Sequence, residues 1–280
     1  MNSPSAGETP PARAPSSSLH IVWVLPHLLG TYGDGGNVIV LRQRLRWRGI
    51  AVHVTPTTPR DPLPSNGDLY VLGGGEDWAQ EAALDLLDAA RHRRTLQGPS
   101  PVFAVCAGLQ ILGNSLPRPD GRQRRGLELL DATTVRGRQR AIGEVIAEAD
   151  PSLALGRLAG FVNHAGSTTL GSSSRPLARI VSGPGNSRDP SLGEGACQDN
   201  ILATYLHGPV LARNPGLADL LLAKAVGYAL PQLAPTRPDR PAEEAGPAAE
   251  TGAAPTPWRP RPEQELPSGL RSRSASATRG

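Results

Sequence analysis

Short apolar runs alternate with helix-spaced segments from residue 20 onward. His20-Ile-Val-Trp-Val-Leu25 predicts a first buried strand. A glycine-rich loop, Gly30-Thr-Tyr-Gly-Asp-Gly-Gly36, follows. Asn37 opens an amphipathic run that closes at Arg48 and Gly49, the usual helix-stop residue. Ile50–Val54 and Asp68–Leu72 predict further strands, the latter running into Gly73-Gly74-Gly75. Asp77 and Gln80 have capping-box spacing ahead of Ala83, Leu86, Leu87 and Ala90. Pro101–Val105 predicts a strand that stops at Cys106.

Alternating strands and helices with short connections imply a mostly parallel sheet with helices on both faces, a three-layer α/β fold. Beyond Gly126 the pattern changes to short Val-, Ile- and Thr-containing runs between Gly, Asn and Ser turns. These predict extra antiparallel strands near one edge. Ile201–Leu206 predicts a last strand, followed at once by His207. Asn214-Pro215 then starts a final helix carrying Leu217, Leu220, Leu221 and Lys224.

Composition divides the 280 residues into a core and two tails. Residues 1–18, and residues 231–280 with their Pro, Ala and Arg, carry too little apolar surface to offset the entropy of ordering. Both are read as disordered, around one domain at 19–230. The net charge of +4 comes from arginine, with Lys224 the only lysine. Basic clusters such as 91–94 and 122–125 lack interleaved aromatics, so nucleic acid is not an expected partner. Two cysteines make no disulfide framework. No membrane span or secretory leader is visible, and a cytoplasmic protein with reduced thiols is the default.

The chemistry gathers at strand ends. Val105-Cys106-Ala-Gly108 reads as strand, sharp elbow and helix start, which lifts a thiol above the sheet edge. In open parallel sheets, sites lie beyond the carboxyl ends of the strands. Gly73–Gly75, Cys106 and His207 all follow predicted strands, so they share one rim. Cys106 is then the candidate nucleophile and His207 the base that takes and returns its proton. Backbone N–H groups of Gly74, Gly75 and Ala107 are candidates for an oxyanion hole. Cys197, with no elbow, is read as packing. The Gly30–Gly36 loop matches no phosphate-binding motif and reads as a tight turn able to line the pocket. No paired His or Cys spacing suggests a metal.

Five segments carry a resemblance to a known family: 29–37, Leu72–Asp77, Val105–Gln110, Gly160–Gly166 and Thr204–Pro209. Across residues 20 to about 230 the chain resembles class I glutamine amidotransferase domains of the cobyric-acid-synthase type, whose fold is flavodoxin-like. Within them it is similar to the glutaminase subunits of lipid II isoglutaminyl synthase. The resemblance implies hydrolysis of L-glutamine to glutamate and ammonia, with Cys106 as nucleophile and His207 as base. It implies that Arg140 binds glutamine, a role a guanidinium fills by gripping an α-carboxylate. It also implies a heterodimer with a Mur-ligase-like partner (MurT), which uses the ammonia to amidate the D-glutamate α-carboxyl of lipid II. This chain then needs no cofactor, and ATP and Mg belong to the partner.

One departure matters. Most class I domains carry Glu two residues after the histidine, where this chain has Pro209. Glu194, Asp199 or Asp219 are in-chain candidates to orient His207. The resemblance suggests instead an aspartate from the partner, and hence a weak isolated glutaminase. Asn163 and His164 read as structural, holding a loop over the pocket, although His164 competes with His207 as base. A stand-alone cysteine hydrolase and a non-catalytic scaffold remain as alternative readings.

Overall fold

The computed structural model describes residues 18–233. The expectations for the 1–18 and 231–280 tails fall, Ser18 and residues 231–233 apart, outside the described residues. The main sheet has six strands in the order β10-β11-β4-β3-β1-β2. These are β1 (Ser18–Val24), β2 (Ala51–Pro56), β3 (Leu69–Leu72), β4 (Val102–Val105), β10 (Ala196–Gln198) and β11 (Ile201–Thr204). All neighbours are parallel except β10, which runs antiparallel to β11. Of the extra antiparallel strands expected near one edge, β10 joins this sheet and the others form a second one.

β3, β4 and β11 are buried at every position, as their near-continuous apolar runs require of strands covered on both faces. One helix group is α1 (Gly35–Trp47), α5 (Val210–Arg213) and α6 (Pro215–Val226), with α6 against β3. Another joins α2 (Asp77–Leu87) and α4 (Ala107–Leu112) beside β4 and β11. α3 (Ala90–Leu96) is a separate short helix. In α1, Val38, Leu41 and Leu45 are buried at helical spacing. Arg44 is buried too, and its guanidinium donates to both Asp219 oxygens on α6 at 2.8 and 2.7 Å. Among the described residues, no helix is long and apolar enough to cross a membrane.

The β-rich stretch builds a second, five-stranded sheet. It comprises β5 (Ser115–Pro117), β6 (Gln123–Arg125), β7 (Ala132–Ala149), β8 (Arg157–Leu170) and β9 (Ala178–Ser182). The long β7–β8 antiparallel pair dominates it, with a break in register between Arg136 and Ala141. Asp77 and Gln80 form no capping box. Glu76 occupies the cap position, and Gln80 turns inward to donate to Gln110 Oε1 at 2.8 Å.

Candidate active site

β4 ends at Cys106, whose backbone sits at φ 51°, ψ −103°. A non-glycine residue in that region is strained, and such strain is characteristic of an elbow that presents a nucleophile. Two neighbours hold it there. The Cys106 N–H donates to Thr204 O at 2.8 Å, and its carbonyl accepts from the Gln110 N–H at 3.1 Å. Gly108 sits in tight space, where a Cβ would stand 3.0 Å from Leu72 Cβ and 3.2 Å from Gly73 O.

His207 follows β11 on the adjacent strand end, and its N–H donates to Phe161 O at 2.8 Å. The ring is buried. Its Nδ1 faces both oxygens of Asp34, at 3.1 and 3.2 Å. Nε2 makes no hydrogen bond among the described residues. Burial works against a charged imidazole, yet Asp34 and Cys106 together hold the ring's pKa up to about 10. The candidate nucleophile, the candidate base and a carboxylate able to orient it therefore lie side by side.

The in-chain acid is thus Asp34, from the glycine-rich loop at the end of β1, and not one of those singled out by position. Asp219 pairs with Arg44 and Arg48. Asp199 lies in the turn before β11, at the opposite end of that strand from His207. Glu194 accepts from Thr204 Oγ1 at 2.8 Å and from the Tyr205 N–H at 2.7 Å. The absence of Glu at Pro209 does not leave His207 without an orienter. Gly36 instead makes room for Pro209, whose ring a Cβ at position 36 would meet at 2.5 Å. Asn37 Oδ1 accepts from the Leu211 N–H at 3.0 Å, which ties the start of α1 to the turn after His207. Asp34, just before α1, is carried in by this contact.

The three oxyanion candidates separate. Gly74 spends its N–H on Asp34 Oδ2 at 2.7 Å, so that donor is unavailable to a substrate, contrary to expectation. Its missing side chain is what matters: a Cβ would stand 2.8 Å from His207 Cε1, 2.9 Å from Asp34 Oδ2 and 3.4 Å from Cys106 Cβ. Gly75 and Ala107 both line the cleft beside Cys106, and the Ala107 N–H opens α4, where first-turn donors lack intrahelical partners.

That cleft is open to solvent and is also lined by Arg140, Arg136 and Asn163. Arg136 pairs with Asp77 at 3.1 Å. Arg140 has no carboxylate partner among the described residues, and its Nε donates to Asn163 Oδ1 at 2.5 Å. His164 is stacked on Tyr205 with ring centroids 3.9 Å apart, and its two nitrogens face Gly166 O and Gly185 O, both at 3.0 Å. Burial pushes its pKa down to about 4. Held on both sides, it is not placed to serve Cys106. Cys197 is buried, and desolvation drives its thiol up to about 12, which suits packing and not nucleophilic attack.

Comparison with known proteins agrees with this geometry. The model of the CobB/CobQ-like glutamine amidotransferase domain matches residues 20–215. The chain is 34% identical over 200 residues to the GatD subunit of lipid II isoglutaminyl synthase (glutamine-hydrolyzing) from Staphylococcus aureus, covering 70% of this chain and 80% of that one. The Streptococcus pneumoniae GatD subunit is 32% identical over 213 residues, covering 74% and 80%. A crystal structure of a glutamine amidotransferase shares the fold, with TM-score 0.52 at 22% identity over 73% of this chain and 98% of that one. Strained thiol, buried imidazole and matching core together place the chain in the CobB/CobQ-like glutamine amidotransferase family, to which it belongs.

Proposed function

We propose that the chain is the glutaminase subunit of a lipid II isoglutaminyl synthase, releasing ammonia from L-glutamine through a Cys106 thioester. The Cys106 thiolate attacks the side-chain amide carbon of glutamine, and the carbonyl oxygen becomes an oxyanion facing the N–H groups of Gly75 and Ala107. Protonated His207 gives its Nε2 proton to the departing nitrogen. The C–N bond breaks, ammonia leaves, and a γ-glutamyl thioester remains on Cys106. Water then attacks the thioester carbon while His207 takes one of its protons. The C–S bond breaks, and glutamate leaves. Asp34 keeps the Nδ1 proton in place throughout, so that Nε2 faces the reaction. Arg140 holds the α-carboxylate. The ammonia passes to a Mur-ligase-like partner of the MurT type, which activates and amidates the D-glutamate α-carboxyl of lipid II at the expense of ATP.

The observation that supports this reading most directly is Asp34 and His207 in contact behind a strained Cys106. The similarity to two GatD subunits supports a lipid II isoglutaminyl synthase as the complex that uses the ammonia. Incubation with 6-diazo-5-oxo-L-norleucine, a glutamine-shaped diazoketone, tests it. One adduct, mapped to Cys106 by mass spectrometry and suppressed by excess L-glutamine, is the expected result. Labelling of Cys106 by general thiol reagents alone would point to another cysteine hydrolase. An inert Cys106 would leave only a scaffold. Co-expression with the Mur-ligase-like protein, followed by co-purification, tests the partnership.

A further inference from the structure

Arg140 occupies an irregular stretch of backbone. β7 and β8 pair as far as Arg136 opposite Gly166 and resume at Ala141 opposite His164. Residues 137–140 of β7 therefore face the single residue Ala165 of β8. Such a bulge re-aims a side chain, but the bulge does not fix where a long flexible one ends. An exposed arginine there samples many rotamers unless another group catches it.

Asn163 is that group. It sits in the regular part of β8, opposite Ile142. Its Oδ1 accepts from Arg140 Nε at 2.5 Å, and its carbonyl oxygen accepts from Arg140 Nη2 at 3.4 Å. Its own Nδ2 donates to Tyr32 Oη at 3.2 Å. Tyr32, in the same loop as Asp34, lays its ring edge-on to His207 with centroids 4.9 Å apart. The Nε–Nη2 edge of the guanidinium is thus occupied, and Nη1 with the second N–H of Nη2 is left for a ligand.

The choice of an amide is informative. An aspartate at 163 would accept from Arg140 equally well, but it would neutralise the guanidinium and lose the donor to Tyr32. Arg136 shows that alternative a few residues away, compensated by Asp77. Asn163 fixes the direction of Arg140 and leaves its charge uncancelled.

We infer that Asn163 is a positioning residue that aims Arg140 at the α-carboxylate of the substrate while sparing its positive charge. The inference rests on the glutaminase reading above and adds to it the residue that sets selection for a free α-amino acid.

The test separates this role from simple packing. L-Glutamine affinity is measured by calorimetry in full-length Cys106→Ser protein, alone and combined with Asn163→Ala or Asn163→Asp. The rate of Cys106 alkylation by iodoacetamide, which has no carboxylate, is measured in the same Asn163 variants with Cys106 intact. Asn163→Ala is expected to weaken glutamine binding about tenfold or more, the scale of one lost hydrogen bond to a charged group. Asn163→Asp is expected to weaken it at least as much despite keeping the acceptor. Alkylation is expected to stay within about twofold of the unsubstituted protein, since the reagent needs no arginine. Recovery of affinity in Asn163→Asp would show that only the hydrogen bond matters and overturn the charge-sparing role. Unchanged affinity in both variants would overturn the inference outright, as would alkylation that slows in parallel with binding. If Cys106→Ser alone binds no glutamine, the glutaminase reading itself falls, a result distinct from all of these.

Discussion

The Asp34 carboxylate stands 3.1 Å from Nδ1 of His207, across 173 residues of chain. A carboxylate in that position fixes the tautomer that leaves Nε2 for the thiol and stabilises the imidazolium. Since it comes from the same chain, the isolated protein is expected to turn over glutamine without its partner. Asp34→Asn should lower that turnover by about 10²- to 10⁴-fold, the cost of presenting the wrong tautomer. A steady-state ammonia assay on the purified chain decides both points. No activity in the isolated chain, restored by the partner, would return the orienting role to an outside residue.

The same pair sets a pH dependence of stability. His207 is raised from 6.5 to about 10 in the folded chain, against burial, by Asp34 and Cys106. A raised pKa means that the folded state binds its proton more tightly than the unfolded chain does. The stabilisation is complete below about pH 6.5 and is lost as pH climbs through about 10. Thermal melts between pH 6 and 10 should show a falling midpoint in the native protein and a flatter one in Asp34→Asn. Equal slopes would mean that the carboxylate is not the group holding the ring's proton.

Gly74 is constrained by what surrounds it. A Cβ would meet His207 Cε1 at 2.8 Å and Asp34 Oδ2 at 2.9 Å, so one of the two must move. Gly74→Ala should keep the fold, at a cost of about 1–3 kcal/mol for overpacking. Turnover should fall about 10²-fold, because a displacement near 1 Å misaligns base and nucleophile. Circular dichroism beside the ammonia assay separates the two effects. Near-normal turnover would show that the cluster has slack.

Much of this architecture was legible in the chain because its signals are local. The β3, β4 and β11 runs are apolar at nearly every position, as doubly covered strands must be. The elbow at Cys106 and the strand-end position of His207 follow from a few consecutive residues. Asp34 was not found because the usual cue, an acid two residues after the histidine, is absent, and its partner is remote in sequence. A usable signal existed: Asp34 is the only acid in the loop leaving β1, at the same rim as Cys106. The long β7–β8 pair shows in the sequence only as short runs, since the Arg136–Arg140 stretch interrupts alternation where the register breaks. Gln80 had the spacing of a cap, but pairing with Gln110 in the interior claimed its side chain.

Arg140→Ala should act on affinity more than on chemistry. A charge-assisted contact to a carboxylate contributes about 1.5–3 kcal/mol, so KM for L-glutamine should rise about 10- to 100-fold. Any drop in kcat would report misplacement of the amide. Initial-rate kinetics over a wide glutamine range measure the split. An unchanged KM would remove Arg140 from the binding site.

Glu194 supplies a second pH signature, in a lower window. It is fully buried, and its Oε1 accepts from Thr204 Oγ1 and the Tyr205 N–H while Oε2 makes no hydrogen bond among the described residues. Burial drives its carboxyl from 4.5 up to about 7, against the pull of those hydrogen bonds. Below pH 4.5 the group is protonated in folded and unfolded chains alike. Between 4.5 and about 7 the unfolded chain ionises first, so stability declines as pH rises through that window. The whole effect is on the order of 3 kcal/mol. Glu194→Gln keeps the acceptor at Oε1 and cannot ionise, so its stability should be flatter from pH 4.5 to 7. Urea unfolding at several pH values within the window measures the slope in both proteins. Parallel curves would show that Glu194 ionises normally and that another group carries the acidic limb.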